Sequence, residues 1–356
     1  MFSGLQATRE PILMSQSRTP IQLSLVEPAT IYIVGTGGTI AGTATSATSA
    51  NYNPSQLNVD DLIKTMPEIK KFSEELKGLD LFKVHSEDMT PMHWLDMAKT
   101  VNALLLKPEV TGVIITHGTD TLEETAYFLD LVIKSDKPVV IVGSMRASTS
   151  LSADGPLNLF NAVSVIHDPN SKGKGVMVVM NDNIYDGRNV TKCNTTQVDT
   201  FNAPNVGPIG RVHYGKVTYT IKELERRHTT KTPFDITDLI DLPTVEIVSE
   251  YAGAGNVLKA VIAQKPDGIV ISGVGDGNLT AKDRALIKYA KDSGIHIVRS
   301  SRTGSGYVTE SDDPSSEYAD SIAGDNLNPQ KARILLMLSL TKTKQLCEIK
   351  KNFATY

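Results

Sequence analysis

Short apolar runs rich in β-branched residues recur along the first half of the chain. Runs of this kind are typical of strands buried within a sheet, and here they cover Ile31–Val34, Val113–Ile115, Val139–Val142 and Val176–Met180. The segments between them follow a helical period instead. One stripe consists of Leu122, Ala126, Leu129 and Ile133, and residues 91–106 and 154–166 repeat the pattern. Strands that alternate with helices predict an α/β fold with a mostly parallel sheet covered on both faces.

The alternation is interrupted once and then resumes on a smaller scale. Residues 222–243 are polar and punctuated by prolines, which is typical of a linker. Beyond them, strands are predicted at Val245–Val248, Ile269–Ile271 and His296–Val298, and helices at Ala281–Asp292 and Asn328–Thr341. We therefore expect a larger N-terminal domain over residues 30–221 and a smaller C-terminal α/β domain over residues 244–356.

Length and charge narrow the class of protein. A chain of 356 residues suits two domains. Its 36 basic and 40 acidic residues give a formal charge of −4, which excludes a basic nucleic-acid-binding protein. No apolar run approaches the roughly 18–20 residues that span a bilayer, so we expect no membrane partner. Residues 1–29 lack a clear signal-peptide pattern, and we interpret them as a disordered tail or the remnant of a processed leader.

The two cysteines, Cys193 and Cys347, form neither a disulfide framework nor a zinc-binding pattern. We expect two buried thiols, with a single bridge between them as the alternative. The seven histidines show no metal-ligand spacing and are interpreted as structural.

The first predicted strand ends in a glycine-rich turn, Gly35-Thr-Gly-Gly-Thr-Ile40. The turn lacks the third glycine of a dinucleotide-binding fingerprint and the Gly-Lys-Ser/Thr ending of a P-loop. Its glycines could simply permit a tight connection. Alternatively, Thr39 is a nucleophile on exposed backbone, which requires a base for its activation. Residues 41–53 have the composition of a mobile lid, in which Tyr52 is either a loop anchor or a phenol that relays the nucleophile's proton.

A second polar turn, Thr116-His-Gly-Thr-Asp-Thr121, follows the next strand of the predicted core. The carboxyl edge of a parallel sheet is where such folds bind ligands. Thr119 supplies a second hydroxyl there, and Asp120 can accept a hydrogen bond from a substrate ammonium or orient a partner. In the alternative interpretation, Thr119 or Asp120 caps a helix that continues with Glu123 and Glu124.

Two further segments carry polar side chains after apolar runs. Lys192 comes shortly after the strand Val176–Met180. It is either a solvated surface residue or, if it contacts an aspartate and a threonine, a proton acceptor or a charge that keeps the aspartate ionised. The segment Ser86-Glu-Asp88 follows Leu81–Val84 and is interpreted as a turn at the sheet edge.

These segments together resemble a known family. Ile33-Val-Gly-Thr-Gly-Gly-Thr-Ile-Ala41 and Gly112-Val-Ile-Ile-Thr-His-Gly-Thr-Asp-Thr-Leu122 are similar to the two signature segments of the bacterial-type asparaginase/glutaminase family. Residues 136–140, 152–156 and 327–333 are similar as well, so the resemblance runs from about residue 30 to Tyr356. Among the family's types, the chain most resembles the type II asparaginases.

The resemblance implies roles for particular residues. Thr39 matches the nucleophile and Tyr52 the lid tyrosine, whereas Thr119, Asp120 and Lys192 match a second catalytic triad. The substrate-binding positions are matched by Gly38, Ser86, Glu87, Gly118 and Ser144, the last through a backbone carbonyl.

The resemblance also implies that a neighbouring subunit completes each site, in a homotetramer built from dimers that share active sites. Asn278 matches one residue that the neighbour contributes. The family has a glutamate as a second contribution. Here Asp313 falls at that position, with Glu310 as the alternative.

The reaction implied by the resemblance is hydrolysis of L-asparagine to L-aspartate and ammonia through a threonine-linked acyl-enzyme, without a cofactor. Thr39 attacks the side-chain carboxamide, glycine-turn N–H groups hold the oxyanion, and water directed by Thr119 and Lys192 releases the product. The sequence does not fix which threonine attacks first; Thr39 is our hypothesis because it lies on the glycine turn. Glu87 stands where some relatives have glutamine, which implies a glutaminase side activity.

Other functions and locations stay open on the sequence alone. A glutaminase-asparaginase of broad specificity is the main alternative. A nucleotide-dependent oxidoreductase would place Asp60 or Asp61 on the ribose. An asparaginase-like subunit of a transfer-RNA-dependent amidotransferase would be expected to carry additional docking sequence. The resemblance favours a periplasmic or secreted protein, whereas a tail that is not a leader would indicate the cytoplasm.

Overall fold

The structure is a computed structural model that describes residues 29–48, 53, 56–64, 66–72, 75–311 and 313–356. The expectations for Tyr52 and for residues 1–28 lie outside the described residues. Within the described ranges, no helix is both long and apolar enough to cross a membrane.

The strands described in the N-terminal part form a large sheet and a small ribbon. In chain order they are β1 (Thr30–Gly37), β2 (Glu75–Val84), β3 (Val110–Thr116), β4 (Val139–Val142), β5 (Val176–Met180), β6 (Asn183–Asp186), β7 (Thr191–Lys192), β8 (Phe201–Asn202), β9 (Gly210–His213) and β10 (Lys216–Tyr219). The large sheet has the order β10-β9-β6-β5-β4-β3-β1-β2, and β7 pairs with β8. Strands β1 to β5 pair in parallel, whereas β6, β9 and β10 form an antiparallel end.

Helices cover both faces of the large sheet. They are α1 (Val59–Lys64), α2 (Pro91–Leu105), α3 (Leu122–Val132) and α4 (Gly155–His167). Side chains alternate between the two faces of a strand. Val113 and Ile115 of β3 therefore pack in the core with α2 and α3, whereas Ile114 packs in a separate core with α4.

The C-terminal part is a smaller parallel unit. Its strands β11 (Val245–Ser249), β12 (Gly268–Gly273), β13 (His296–Ser301) and β14 (Ile322–Ala323) pair in chain order. Its helices are α5 (Val257–Ala263), α6 (Ala281–Asp292), α7 (Pro329–Leu340) and α8 (Leu346–Thr355). Helix α7 is buried over most of its length because it packs against both this sheet and α3. One hydrophobic core therefore runs from the large sheet into the small one.

The predicted α/β fold class is confirmed, and the elements in the core match their predictions best. Strands β4 and β5 and helix α6 begin and end at the predicted residues. The antiparallel strands β6, β9 and β10 were not predicted, because each has four residues and no continuous apolar run. Of strand β2 only the end was indicated, by the apolar run Leu81–Val84 before a turn at the sheet edge. The rest was not predicted, because the strand lies at that edge and is fully buried at none of its ten positions.

Two further expectations are altered by the structure. The polar segment 222–243 packs on the protein instead of bridging solvent: Phe234 is fully buried with its ring 5.3 Å from that of Tyr356. The expected burial of the two thiols is wrong, since Cys193 and Cys347 are both exposed and free.

Candidate active site

Four neighbouring parallel strands end at one cleft. The order β4-β3-β1-β2 places their carboxyl ends side by side, at the edge where parallel sheets bind ligands. The turns after these strands line a cavity of about 450 Å³. Eight of the predicted site residues line it: Gly38, Thr39, Ser86, Glu87, Gly118, Thr119, Asp120 and Lys192.

The glycine turn brings the two threonine segments together. Gly38 has a φ of 86°, and an added Cβ there would lie 2.4 Å from the backbone nitrogen of Gly118. Only a residue without a side chain allows this approach of one backbone to another. Thr39 and Thr119, each next to one of these glycines, therefore line the same cleft and are both more than 90% buried.

Lys192 contacts the side chains of Thr119 and Asp120 in the second turn. Its Nζ lies 2.9 Å from Thr119 Oγ1 and 2.6 Å from Asp120 Oδ1. The lysine side chain is 15% exposed, so the surface interpretation of Lys192 is wrong. The helix-cap interpretation of Thr119 and Asp120 is wrong as well, because Thr121 is the N-cap residue of α3.

The turn after β2 is attached to the turn after β3. Ser86 is buried; its Oγ accepts a hydrogen bond from the Asp120 backbone N–H at 3.2 Å, and its carbonyl accepts one from Thr121 Oγ1 at 2.6 Å. Glu87 faces the open side of the cleft, where its Oε1 lies 3.4 Å from His85 Nδ1. The cleft therefore offers a buried hydroxyl and an exposed carboxylate side by side.

A buried histidine supports the second turn from behind. The indole N–H of Trp94 donates to Thr125 Oγ1, so that hydroxyl can donate its own proton to His117 Nε2. The Nδ1–H of His117 then donates to the Gly118 carbonyl at 2.7 Å. Burial lowers the pKa of His117 to about 4, so the imidazole is neutral at pH 7. This agrees with the structural role expected for this histidine.

The turn after β4 is shaped by one carboxylate. Asp154 accepts hydrogen bonds from the backbone N–H groups of Met145 and Arg146, both at 2.9 Å. Ser144 is buried beneath this turn, and its hydroxyl donates to the Arg146 carbonyl at 2.8 Å. Ser144 itself does not line the cavity, whereas Met145, Arg146 and Ala147 do.

The described part of the predicted lid is hydrogen-bonded to the segment after β4. The Gly42 carbonyl accepts from both the N–H and the hydroxyl of Ser148, and the Ala47 carbonyl accepts from the Leu151 N–H. The lid segment and the β4 turn therefore form one rim of the cleft.

Two predicted site residues lie away from this cleft, in the C-terminal part. Asn278 and Asp313 are exposed and do not line the cavity formed by their own chain. Asp313 Oδ1 accepts from the N–H and hydroxyl of Ser315. Glu310, the alternative, is already bound within its own domain, by Lys350 Nζ and the Ala323 N–H, both at 3.0 Å.

Several residues around the cleft were not singled out from the sequence. Those that line it are His85, Met145, Arg146, Ala147, Ser150, Thr195 and Thr196. Glu123 lies behind Lys192 and accepts a hydrogen bond from its backbone N–H. The only sequence signal for Glu123 was an acidic first turn of α3, which many helices share because it favours the helix dipole.

Two hydroxyls, a lysine and an aspartate in one cleft at the carboxyl edge of a parallel sheet are typical of an enzyme that uses nucleophilic catalysis. The chain belongs to the asparaginase family. Residues 30–225 match the description "Asparaginase, N-terminal", and residues 244–353 match "Glutaminase/Asparaginase C-terminal domain".

Individual relatives are similar over nearly their whole length. The chain is 47% identical over 327 residues to "L-asparaginase 2" of Escherichia coli, covering 92% of this chain and 93% of the relative. It is 40% identical to "Glutaminase-asparaginase" of Pseudomonas fluorescens, with 92% and 91% covered. A crystal structure titled as a probable cytoplasmic L-asparaginase from Campylobacter jejuni superposes with a TM-score of 0.87 at 42% identity, covering 92% and 100% of the two chains.

Proposed function

We propose that this protein hydrolyses the side-chain amide of L-asparagine, and of L-glutamine as a side activity. The observation that carries the proposal is the contact of Lys192 with Thr119 and Asp120 in the cleft that Thr39 also lines. Relatives named as asparaginases and as glutaminase-asparaginases support this substrate class.

In the proposed reaction, Thr39 Oγ forms a bond to the side-chain carbonyl carbon of the substrate. Tyr52, in the predicted lid segment 41–53 that follows Thr39, relays the hydroxyl proton. The C–N bond then breaks, and the nitrogen leaves as ammonia after taking up a proton. Lys192 and Asp120 orient Thr119 Oγ1, which directs a water molecule onto the acyl-enzyme. Addition of this water releases aspartate and restores the Thr39 hydroxyl.

The polar rim of the cleft suits the two charged ends of an amino acid. Ser86 supplies a hydroxyl for the α-carboxylate, and Glu87 a negative charge for the α-ammonium. The backbone N–H groups of Gly38 and Gly118 lie beside Thr39 and Thr119, where an oxyanion would form. Ser144 is buried beneath the turn that lines the cleft, so its role is limited to its backbone carbonyl, which would receive the side-chain amide.

A second copy of this chain would complete the site in a homotetramer built from dimers that share active sites. Asn278 and Asp313 are exposed in one chain and therefore accessible to a neighbour's cleft, although Asp313 Oδ1 also accepts from Ser315 of its own chain. Asp313 suits this role better than Glu310 because Glu310 is held by Lys350. The domain bounds at residues 30–221 and 244–356 belong to this proposal, since the catalytic turns lie in the first range and the neighbour's contributions in the second.

Ammonia release from asparagine and from glutamine tests the proposal. We expect kcat/KM to be higher for asparagine, and T39A and T119A each to lose most of the activity. T111A, at the other end of β3, is the control and should keep it. Equal or greater kcat/KM for glutamine would make glutaminase the primary function, and activity that survives in T39A but not in T119A would reverse the order of the two threonines.

A further inference from the structure

Lys192 reaches the cleft from a two-residue strand, so its position depends on what holds that strand. Strand β7 pairs only with the short strand β8 among the described residues. Its strongest support is Glu123 of α3, which is 4% exposed. Glu123 Oε2 accepts hydrogen bonds from Thr191 Oγ1 and from the Lys192 N–H, both at 2.6 Å.

The other oxygen of Glu123 connects this support to the C-terminal domain. Glu123 Oε1 accepts a hydrogen bond from Asn328 Nδ2 at 2.7 Å. Asn328 is the N-cap residue of α7, and its Oδ1 accepts from the Lys331 N–H at 3.0 Å. The cap fixes which end of the amide faces Glu123, since the oxygen is already used by the helix.

A second residue of α7 holds the chain that leads to β7. The fully buried Lys331 Nζ donates hydrogen bonds to the carbonyls of Gly187, Arg188 and Val190. Burial lowers the pKa of Lys331 to about 8, while the charge of Glu123 acts to raise it. The side chain is therefore an ammonium at pH 7, with three protons for three carbonyls.

We propose that Glu123, Asn328 and Lys331 are positioning residues that place Lys192 for catalysis, so that the first turn of α7 in the C-terminal domain sets the geometry of the N-terminal active site. This inference rests on the proposed function. None of the three lines the cleft, so they act through the backbone of residues 187–192. A displacement of about 1 Å at a catalytic group can lower a rate by a factor of about 100.

The test uses the donor and acceptor pattern of the Glu123–Asn328 pair. The Glu123 carboxylate accepts from β7 on one oxygen and from Asn328 on the other, whereas the amide of E123Q has only one oxygen. Its NH₂ group must therefore face the donors of β7 or the NH₂ group of Asn328, so that donor meets donor on one side. In the double variant E123Q/N328D, the carboxylate introduced by the second substitution can accept from that NH₂ group and still cap α7. N328D alone places two carboxylates against each other.

We expect E123Q to lower kcat for asparagine by about 10- to 100-fold with little change in KM, and E123Q/N328D to recover most of the loss. E124Q is the matched control: it is the next residue on the same helix turn, makes none of these contacts, and should keep kcat. Thermal unfolding of each variant separates a positioning effect from a loss of the folded enzyme.

Three outcomes would overturn the inference. These are an unchanged kcat in E123Q, a double variant no more active than E123Q, and an E123Q enzyme whose lost activity follows only its unfolding. Failure of the proposed function is distinguishable, because the wild-type protein would then release no ammonia from asparagine or glutamine, whatever these variants do.

Discussion

Gly38 and Gly118 meet backbone to backbone, at the point where the turn after β1 touches the turn after β3. Gly118 is also close to the turn after β2, because an added Cβ at Gly118 would lie 2.7 Å from Ser86 Oγ. The turns after β1 and β3 therefore touch through their backbones, and the turns after β3 and β2 touch through the short Ser86 side chain. The distance between the two threonine segments depends on these two missing side chains.

G38A should therefore reduce activity far more than an ordinary glycine substitution. The new methyl group must push the two turns apart and also adopt a φ of 86°. Because the two turns carry Thr39 and Thr119, pushing them apart should lower kcat/KM for asparagine by about 100-fold or more. The control is G173A, whose φ of 75° imposes similar backbone strain but whose Cβ would meet nothing within 4 Å. Both variants should lose stability, but a comparable loss of activity in G173A would refute the close-approach argument.

The sequence predicts those elements of the fold that a short local pattern of residues is enough to identify. A run such as Val139–Val142 is apolar at every position because both faces of the parallel sheet are covered, so β4 is visible without further context. Strand β2 has only half-buried and exposed positions, without a regular alternation, and its pairing with β1 makes it a strand. Sheet order is likewise a long-range property, and no local pattern indicates it.

E87Q should shift substrate preference toward asparagine. A carboxylate attracts the α-ammonium at a distance, whereas an amide holds it only through a directed hydrogen bond. Glutamine has one more methylene, so its ammonium is displaced when its amide occupies the same place, and the charge tolerates that displacement better. We expect the ratio of kcat/KM for asparagine to that for glutamine to rise by about three- to tenfold. D88N, an exposed neighbour outside the cleft, is the control; an unchanged ratio in E87Q would remove Glu87 from the determinants of specificity.

The sequence indicated individual residues of the candidate site, but it did not indicate which of them contact one another. The motifs indicated Thr39, Thr119 and Asp120, since each stands in a turn after a predicted strand. Lys192 could be connected to them only by resemblance, because 72 residues separate it from Asp120. The contact of Glu123 with Lys192 could not be predicted: a glutamate in the first turn of a helix is common, and its bond to Lys192 depends on a tertiary contact.

Complementation between subunits should test the roles of Asp313 and of shared sites. If each site takes Thr39 from one chain and Asp313 from its neighbour, T39A and D313A chains are both defective alone. Hybrids formed by co-expression then contain one intact site per dimer, and about a quarter of all sites should be restored. Assays at low asparagine reveal the effect of D313A, which should act mainly on KM. No recovery in the hybrids would show that Asp313 does not act across the interface.

E310A should behave differently, because the Glu310 carboxylate is bound inside its own domain. Loss of its bonds to Lys350 and to the Ala323 N–H should lower stability by about 1–3 kcal/mol. A drop in the urea midpoint with KM unchanged is the expected result. A large rise in KM without loss of stability would assign the neighbour's acidic position to Glu310 instead.

The C-terminal domain should lose stability as the pH rises through neutrality, because of a buried carboxyl pair. Burial and a side-chain hydrogen bond to Asp283 raise the pKa of Glu250 from 4.5 to about 7. Between these values the folded protein keeps a proton that the unfolded chain releases, so this stabilisation is full below about pH 4.5 and is lost as the pH passes 7. Glu250 also accepts from the Thr280 N–H, at the N-cap of α6 and two residues from Asn278.

E250Q removes this titration while its amide can still hydrogen-bond to Asp283. The wild type should lose this stabilisation as the pH rises, whereas E250Q should not. The Tm of E250Q minus the Tm of the wild type should therefore be about 2–4 °C larger at pH 8 than at pH 5. The control is E246Q, which replaces an exposed glutamate on the same strand β11. Its Tm should differ from that of the wild type by the same amount at pH 5 and at pH 8. A parallel pH dependence in E250Q and the wild type would mean that the pair does not hold a proton near neutral pH. Because the pair supports the segment that carries Asn278, loss of its proton should also raise KM for asparagine above pH 7 in the wild type and less so in E250Q.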